Sequence, residues 1–128
     1  MKKRTGLLFI AVLLLGGCSD AVYFRSPGDG DTVSNPIKVV MSVCGKDVQP
    51  AGEAVEGTGH HHLIVDGDCV PAGETVPKDA THMHFGKGQT ETMLTLEPGA
   101  HTLTLQFANG VHSSFGAELC KTINVTVE

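Results

Sequence analysis

The sequence predicts an all-β protein, an immunoglobulin-like β-sandwich of about seven strands. Three observations predict it. Short β-branched runs recur between clusters of Gly, Pro and Asp. Several of those runs alternate apolar and polar residues with a period of two, the mark of a strand with one buried face. Beyond the N-terminal apolar segment, no window of useful length keeps a helical period.

Taken in order, Ala21–Phe24 is a short first strand, and Ser26-Pro27-Gly28-Asp29-Gly30 is a turn. Ile37, Val39, Met41 and Val43 then alternate with Lys38 and Ser42 along a half-buried strand. His61, Leu63 and Val65 share one face of the next, and Thr92, Leu94 and Leu96 form another, stopped by Glu97-Pro98-Gly99. The clearest strand carries His101, Leu103, Leu105 and Phe107 on one face, with Thr102, Thr104 and Gln106 on the other. Ile123, Val125 and Val127 complete the set. The spacing of Pro27, Gly30, Val33 and Pro36-Ile37 resembles the opening of many bacterial immunoglobulin-like domains, which speaks to fold and not to function.

The N-terminus carries a different signal. Lys2-Lys3-Arg4 precedes an almost unbroken apolar run from Leu7 to Leu15. That run is too short for a permanent membrane helix and reads as an export signal. Leu15-Gly16-Gly17-Cys18 is similar to a bacterial lipobox, in which Cys18 is lipidated and becomes the first mature residue. Ser19 in the next position resembles the outer-membrane sorting pattern. The expected organisation is a signal over 1–17, a lipidated N-terminus and first edge strand over 18–34, and a sandwich with histidine motifs over 35–128. The expected location is the cell envelope, lipid-anchored at the outer membrane and facing the periplasm. The roughly 110 residues after the signal suit one domain with a modest core.

Three of the nine basic residues and none of the fourteen acidic ones lie in 1–17, so the remainder carries a net charge of −8. An acidic domain without a basic patch argues against nucleic acid, whose binding rests on phosphate neutralisation. An exported chain meets an oxidising compartment, so at least one disulfide is expected among Cys44, Cys69 and Cys120. Alternation puts Cys44 and Cys120 on the outward sides of their strands, while Cys69 sits in a loop and reaches more partners. Cys69 with Cys120 is the favoured pairing.

Five of the seven histidines fall in two short segments, His60-His61-His62 and His82-Met83-His84. Residues i and i+2 of a strand share a face. His60 therefore points with His62, and His82 with His84, on the outer side or at the end of the sheet. Two such pairs on neighbouring segments supply three or four imidazole nitrogens, a number that suits tetrahedral zinc or copper with an open position. His112, in the loop Ala108-Asn109-Gly110-Val111-His112, is a further candidate ligand. Asp66, Gln89 and Glu91 are candidates to orient a ligating imidazole. His61 reads as a satisfied core histidine and Met83 as core, while His101 packs or caps at the far end of its strand. Gly86-Lys87-Gly88-Gln89-Thr90-Glu91 lacks the spacing of a phosphate loop and reads as a tight turn.

Gly59-His60-His61-His62-Leu63-Ile64-Val65-Asp66, then His82-x-His84-Phe85-Gly86-Lys87-Gly88-Gln89-Thr90-Glu91, then Pro98-Gly99-x-His101-Thr102-Leu103 together resemble a bacterial family of secreted domains of unknown function. The resemblance covers roughly residues 36–127. It implies an exported β domain with a histidine-rich motif and no assigned chemistry. In that family the loop around Asn109–Phe115 often holds two histidines, where this chain has His112 alone.

The leading functional expectation is a non-enzymatic lipoprotein that binds copper or zinc through His60, His62, His82 and His84, with His112 as an addition. The alternative is an immunoglobulin-like module that docks an envelope protein and uses its histidines structurally. A metal-dependent hydrolase, with Glu91 or Asp66 as general base, is a minor third reading.

Overall fold

The computed structural model describes residues 17–128, and the export signal falls on residues outside that range save for Gly17. Alternation along the chain decides which faces meet. Ile37, Val39 and Met41 are at most 3 % exposed while Lys38 between them is open to solvent, as a period of two requires. The strands are β1 (Ala21–Ser26), β2 (Asp31–Val33), β3 (Ile37–Cys44), β4 (Asp47–Val48), β5 (Thr58–Val65), β6 (His82–His84), β7 (Glu91–Leu94), β8 (Gly99–Ala108) and β9 (Cys120–Val127). A single 3-10 turn, Gly116–Leu119, leads into β9.

These strands make two sheets, the sandwich that the pattern predicts. One has the order β1-β3-β7. The other runs β2-β9-β8-β5, and the far edge of β5 is shared by β4 at one end and β6 at the other. Pairing is antiparallel except for β2 with β9 and β4 with β5. Leu63, Val65, Leu103, Leu105, Phe107, Ile123 and Val125 from the larger sheet meet Val22, Ile37, Val39 and Met41 from the smaller. Burial of such side chains supplies the dominant favourable free energy of folding.

Three details add to the expected organisation. The short strands β2 and β4 are not marked by any apolar alternation and owe their place to their neighbours. Residues 18–34 supply two edge strands, β1 for the smaller sheet and β2 for the larger, and Val22 is only 5 % exposed. Cys18 stands against Cys44 as a disulfide, with a Cα–Cα distance of 5.8 Å. That bond uses the same sulfur that lipidation would use.

The outer face of the larger sheet is also covered over β5 and β8, which alternation alone does not foretell. Thr104, Gln106 and Ala108 on β8 are fully buried, although they point away from the sandwich core. The segment that follows β5 folds back over them. Gln106 accepts a hydrogen bond from the Val70 amide at 2.9 Å and donates to the carbonyls of Gly116 and Leu119. Thr104 donates to the Gly67 carbonyl, and Ser114 to that of Val70. A disulfide joins Cys69 to Cys120. Beneath this cover Ile64, Val70, Val76 and Ala108 form a second, small apolar cluster.

Candidate metal centre

The same register that builds the sheet assembles the imidazoles. On β5, His61, Leu63 and Val65 face the core, so His60, His62 and Ile64 face the covered side. β6 pairs with β5 so that His84 lies opposite His62 and His82 opposite Ile64. The fourth ring comes from the loop after β8. There His112 adopts a left-handed backbone with φ of 67°, a conformation that costs a non-glycine residue of order 1–2 kcal/mol. The loop is fixed by Asn109, whose side-chain oxygen accepts from the Val111 and Ser113 amides, each at 3.0 Å. The Val76 amide holds the His112 carbonyl at 2.9 Å.

His60, His62, His84 and His112 converge. One ring nitrogen from each lies within 4.8 Å of all the others. All six pairs of ring centroids are separated by 4.6 to 5.8 Å. His60 Nε2 sits 3.1 Å from His62 Nε2 and 3.1 Å from His112 Nδ1. Four nitrogens at the zinc–imidazole bond length of about 2.0–2.1 Å in a tetrahedron would stand about 3.4 Å apart. The group could hold a metal ion once its widest separation, up to 4.8 Å, closes by about 1.4 Å.

Hydrogen bonding among the rings satisfies few of their nitrogens. His60 Nε2 carries one proton or one lone pair, so it makes one well-directed bond, to His62 Nε2 or to His112 Nδ1, and not both. Further, Nδ1 of His60, Nδ1 of His62 and Nε2 of His84 are buried without a partner. Each such atom costs about 1–3 kcal/mol. Burial, reinforced by the His112 and His84 rings, lowers the His60 pKa to about 4. Burial and then the rings of His60, His84 and His112 bring His62 to about 3, and His84 is lowered chiefly by burial. All three therefore present lone pairs at neutral pH, as a ligand must.

Residues 39–128 match the family described as Domain of unknown function (DUF4399). The chain belongs to that family. No curated protein and no solved structure matches it. In this DUF4399 domain two glycines of the histidine motifs have steric reasons to be there. A Cβ on Gly86 would run into the His84 ring, whose Nε2 would be 2.6 Å away. A Cβ on Gly59 would run into the Ala108 carbonyl oxygen, with the Phe107 ring 2.6 Å away, and would force β8 off β5. We expect Gly86→Ala to weaken metal affinity about tenfold or more while the fold persists, because it displaces a ligating ring without touching the core. Competition against a chromophoric chelator measures this.

Several expected members of the site lie elsewhere. His82 shares the face of His84 but sits one row along, beside Ile64, where its Nδ1 is 2.8 Å from Asp79 Oδ1. It is not part of the converging group. Asp66 orients no ligand. It accepts from His101 Nδ1 at 2.8 Å and from the Thr102 amide at 3.0 Å, tying the end of β5 to β8. Partial burial opposes the Asp66 carboxylate, but these bonds outweigh it and hold its pKa below the ordinary value. His101 is raised, first by Asp66 and then by the Glu97 carbonyl. Gln89 accepts from the Lys87 amide within its own turn, and Glu91 faces Lys38 at 3.9 Å on the other sheet.

His61 faces the core as expected, edge-on to Phe107 with ring centroids 5.1 Å apart. It is not satisfied there, because neither ring nitrogen has a partner. Burial, with a smaller effect of the His60 ring, lowers its pKa to about 4. The left-handed turn that delivers His112 had one sequence signal, the Asn109-Gly110 pair.

Proposed function

We propose that this DUF4399 domain binds one zinc or copper(II) ion through His60, His62, His84 and His112. The observation that carries the reading is the convergence of four largely buried imidazoles, one ring nitrogen of each within 4.8 Å of the others. Such a cluster is costly as a purely structural device, and a shared ion removes the repulsion between its lone pairs. Neutral nitrogen donors suit both ions. No thioether supports a soft copper(I) site here: Met83 packs against the core and Met93 is 56 % exposed on the other sheet. The hydrolytic reading loses the base it required, because Asp66 and Glu91 are engaged away from the cluster.

Metal analysis of the purified protein after loading tests the proposal. One ion per chain is expected, with loss of tight binding in His62→Ala or His84→Ala. His82→Ala and His101→Ala should load as the unaltered chain does. Equal loading of the His62→Ala and unaltered proteins would reject the assignment.

The same proposal includes export and a lipid anchor at Cys18, supported by Lys2-Lys3-Arg4, the Leu7–Leu15 run and the Leu15-Gly16-Gly17-Cys18 ending. An anchored chain carries acyl groups on Cys18 and leaves Cys44 as a free thiol. Intact mass of membrane-extracted protein, with alkylation of Cys44, is the check. A bridged Cys18–Cys44 peptide in that fraction would rule the anchor out.

A further inference from the structure

We infer that a metal ion held by these four histidines keeps one coordination position turned outward, where it takes a small free anion such as a carboxylate. This rests on the metal-binding reading above. A cleft of about 340 Å³ ends on His62, His84 and His112, and Thr75, Val76, Pro77 and Lys78 form its other walls. His60 does not line it and is fully buried, so that ring closes the group from behind. Three ring edges thus meet at the floor of a cleft, and an ion among them faces its opening.

Charge decides what enters. The converging group contains imidazoles alone, with no carboxylate or thiolate. Neutral ligands leave a divalent ion its full double charge inside a largely buried site, a situation that low-dielectric surroundings penalise until a counter-charge arrives. The wall residue Lys78 is exposed and adds a further positive charge. The nearest acid in sequence, Asp79, is committed to His82 and to the Thr81 amide. Val76 and Pro77 give the cleft an apolar side. Its volume lies at the small end of ligand pockets and has ample room for a small carboxylate.

The test uses copper(II)-loaded protein titrated with sodium azide, whose coordination to copper produces a new charge-transfer absorption. A saturable band with one azide per copper is expected, with sodium acetate competing for the same position. Lys78→Gln should keep the copper stoichiometry and weaken azide binding about fivefold, the worth of one solvent-exposed charge pair. Lys78→Arg should restore most of it. A fully loaded protein whose spectrum ignores azide has a closed coordination shell and overturns this inference while leaving the metal site standing. An unchanged azide affinity in Lys78→Gln overturns the role given to the cleft. A protein that takes up no copper removes both readings together.

Discussion

We expect zinc or copper(II) at a hundred times its dissociation constant to stabilise the metal-free protein by about 2.7 kcal/mol and to raise its melting temperature by roughly 10 °C or more. The paired change His60→Leu, His62→Leu abolishes that response. It also does something that a structural role for these rings would not allow: the metal-free variant melts higher than the metal-free parent. Each ring leaves a buried Nδ1 without a partner, and replacing a buried orphan by an apolar side chain of similar volume recovers about 1–3 kcal/mol. Thermal scans of both proteins, with chelator and with added metal, separate the two readings. A paired variant that melts lower than its parent in chelator would show that the imidazoles hold the fold together.

In chelator the unaltered protein is expected to unfold in mild acid. His60, His61 and His62 have folded pKa values of about 4, 4 and 3 against an ordinary value of 6.5. The unfolded chain therefore binds more protons than the folded one across this range. Stability is fully present above pH 6.5 and falls as the pH drops toward 4. Each histidine contributes up to about 1.4 kcal/mol per pH unit, so three approach about 4. Against a typical stability of about 5–15 kcal/mol, a fall of one to two units in pH suffices. His101 has the opposite sign, since its raised pKa gives stability below 6.5 that is lost at higher pH, but the exposure of its partner Asp66 keeps that contribution small. Circular dichroism against pH should place the midpoint between pH 4 and 6.5, and the paired leucine variant should remain folded to lower pH. A parent protein that stays native at pH 4 would contradict the burial of these rings.

The fold was legible because the strands of the core alternate cleanly. Leu103, Leu105 and Phe107 against Thr104 and Gln106, or Ile37, Val39 and Met41 against Lys38, mark which face belongs to the core. The histidine site was legible in part for the same reason. The i, i+2 rule places His60 with His62, and it places His84 on a face with His82. It does not say how β6 slides along β5, and that offset puts His84 in the cluster while His82 lands beside Ile64. Strand β2 pairs with β9 across the whole chain, and β4 is two residues long, so neither has a local pattern to read. The candidates for orienting the ligands failed because nearness in sequence is a poor guide in a sandwich. Asp66 and Gln89 have closer partners at hand, and Glu91 belongs to the other sheet. Nor does alternation reveal that the polar side of β8 is buried, since the segment that covers it is irregular and held by Gln106, Thr104 and Ser114.

The sulfur bridge from Cys69 to Cys120 spans 51 residues and fastens that covering segment to the start of β9. Strand pairing alone sets His60, His62 and His84 side by side, but the roof above them is secured by oxidation. The bridge thus adds a covalent tie to the hydrogen bonds that Gln106, Thr104 and Ser114 already give the cover. Breaking it with a reductant is expected to loosen the cover while every ligand stays in the chain.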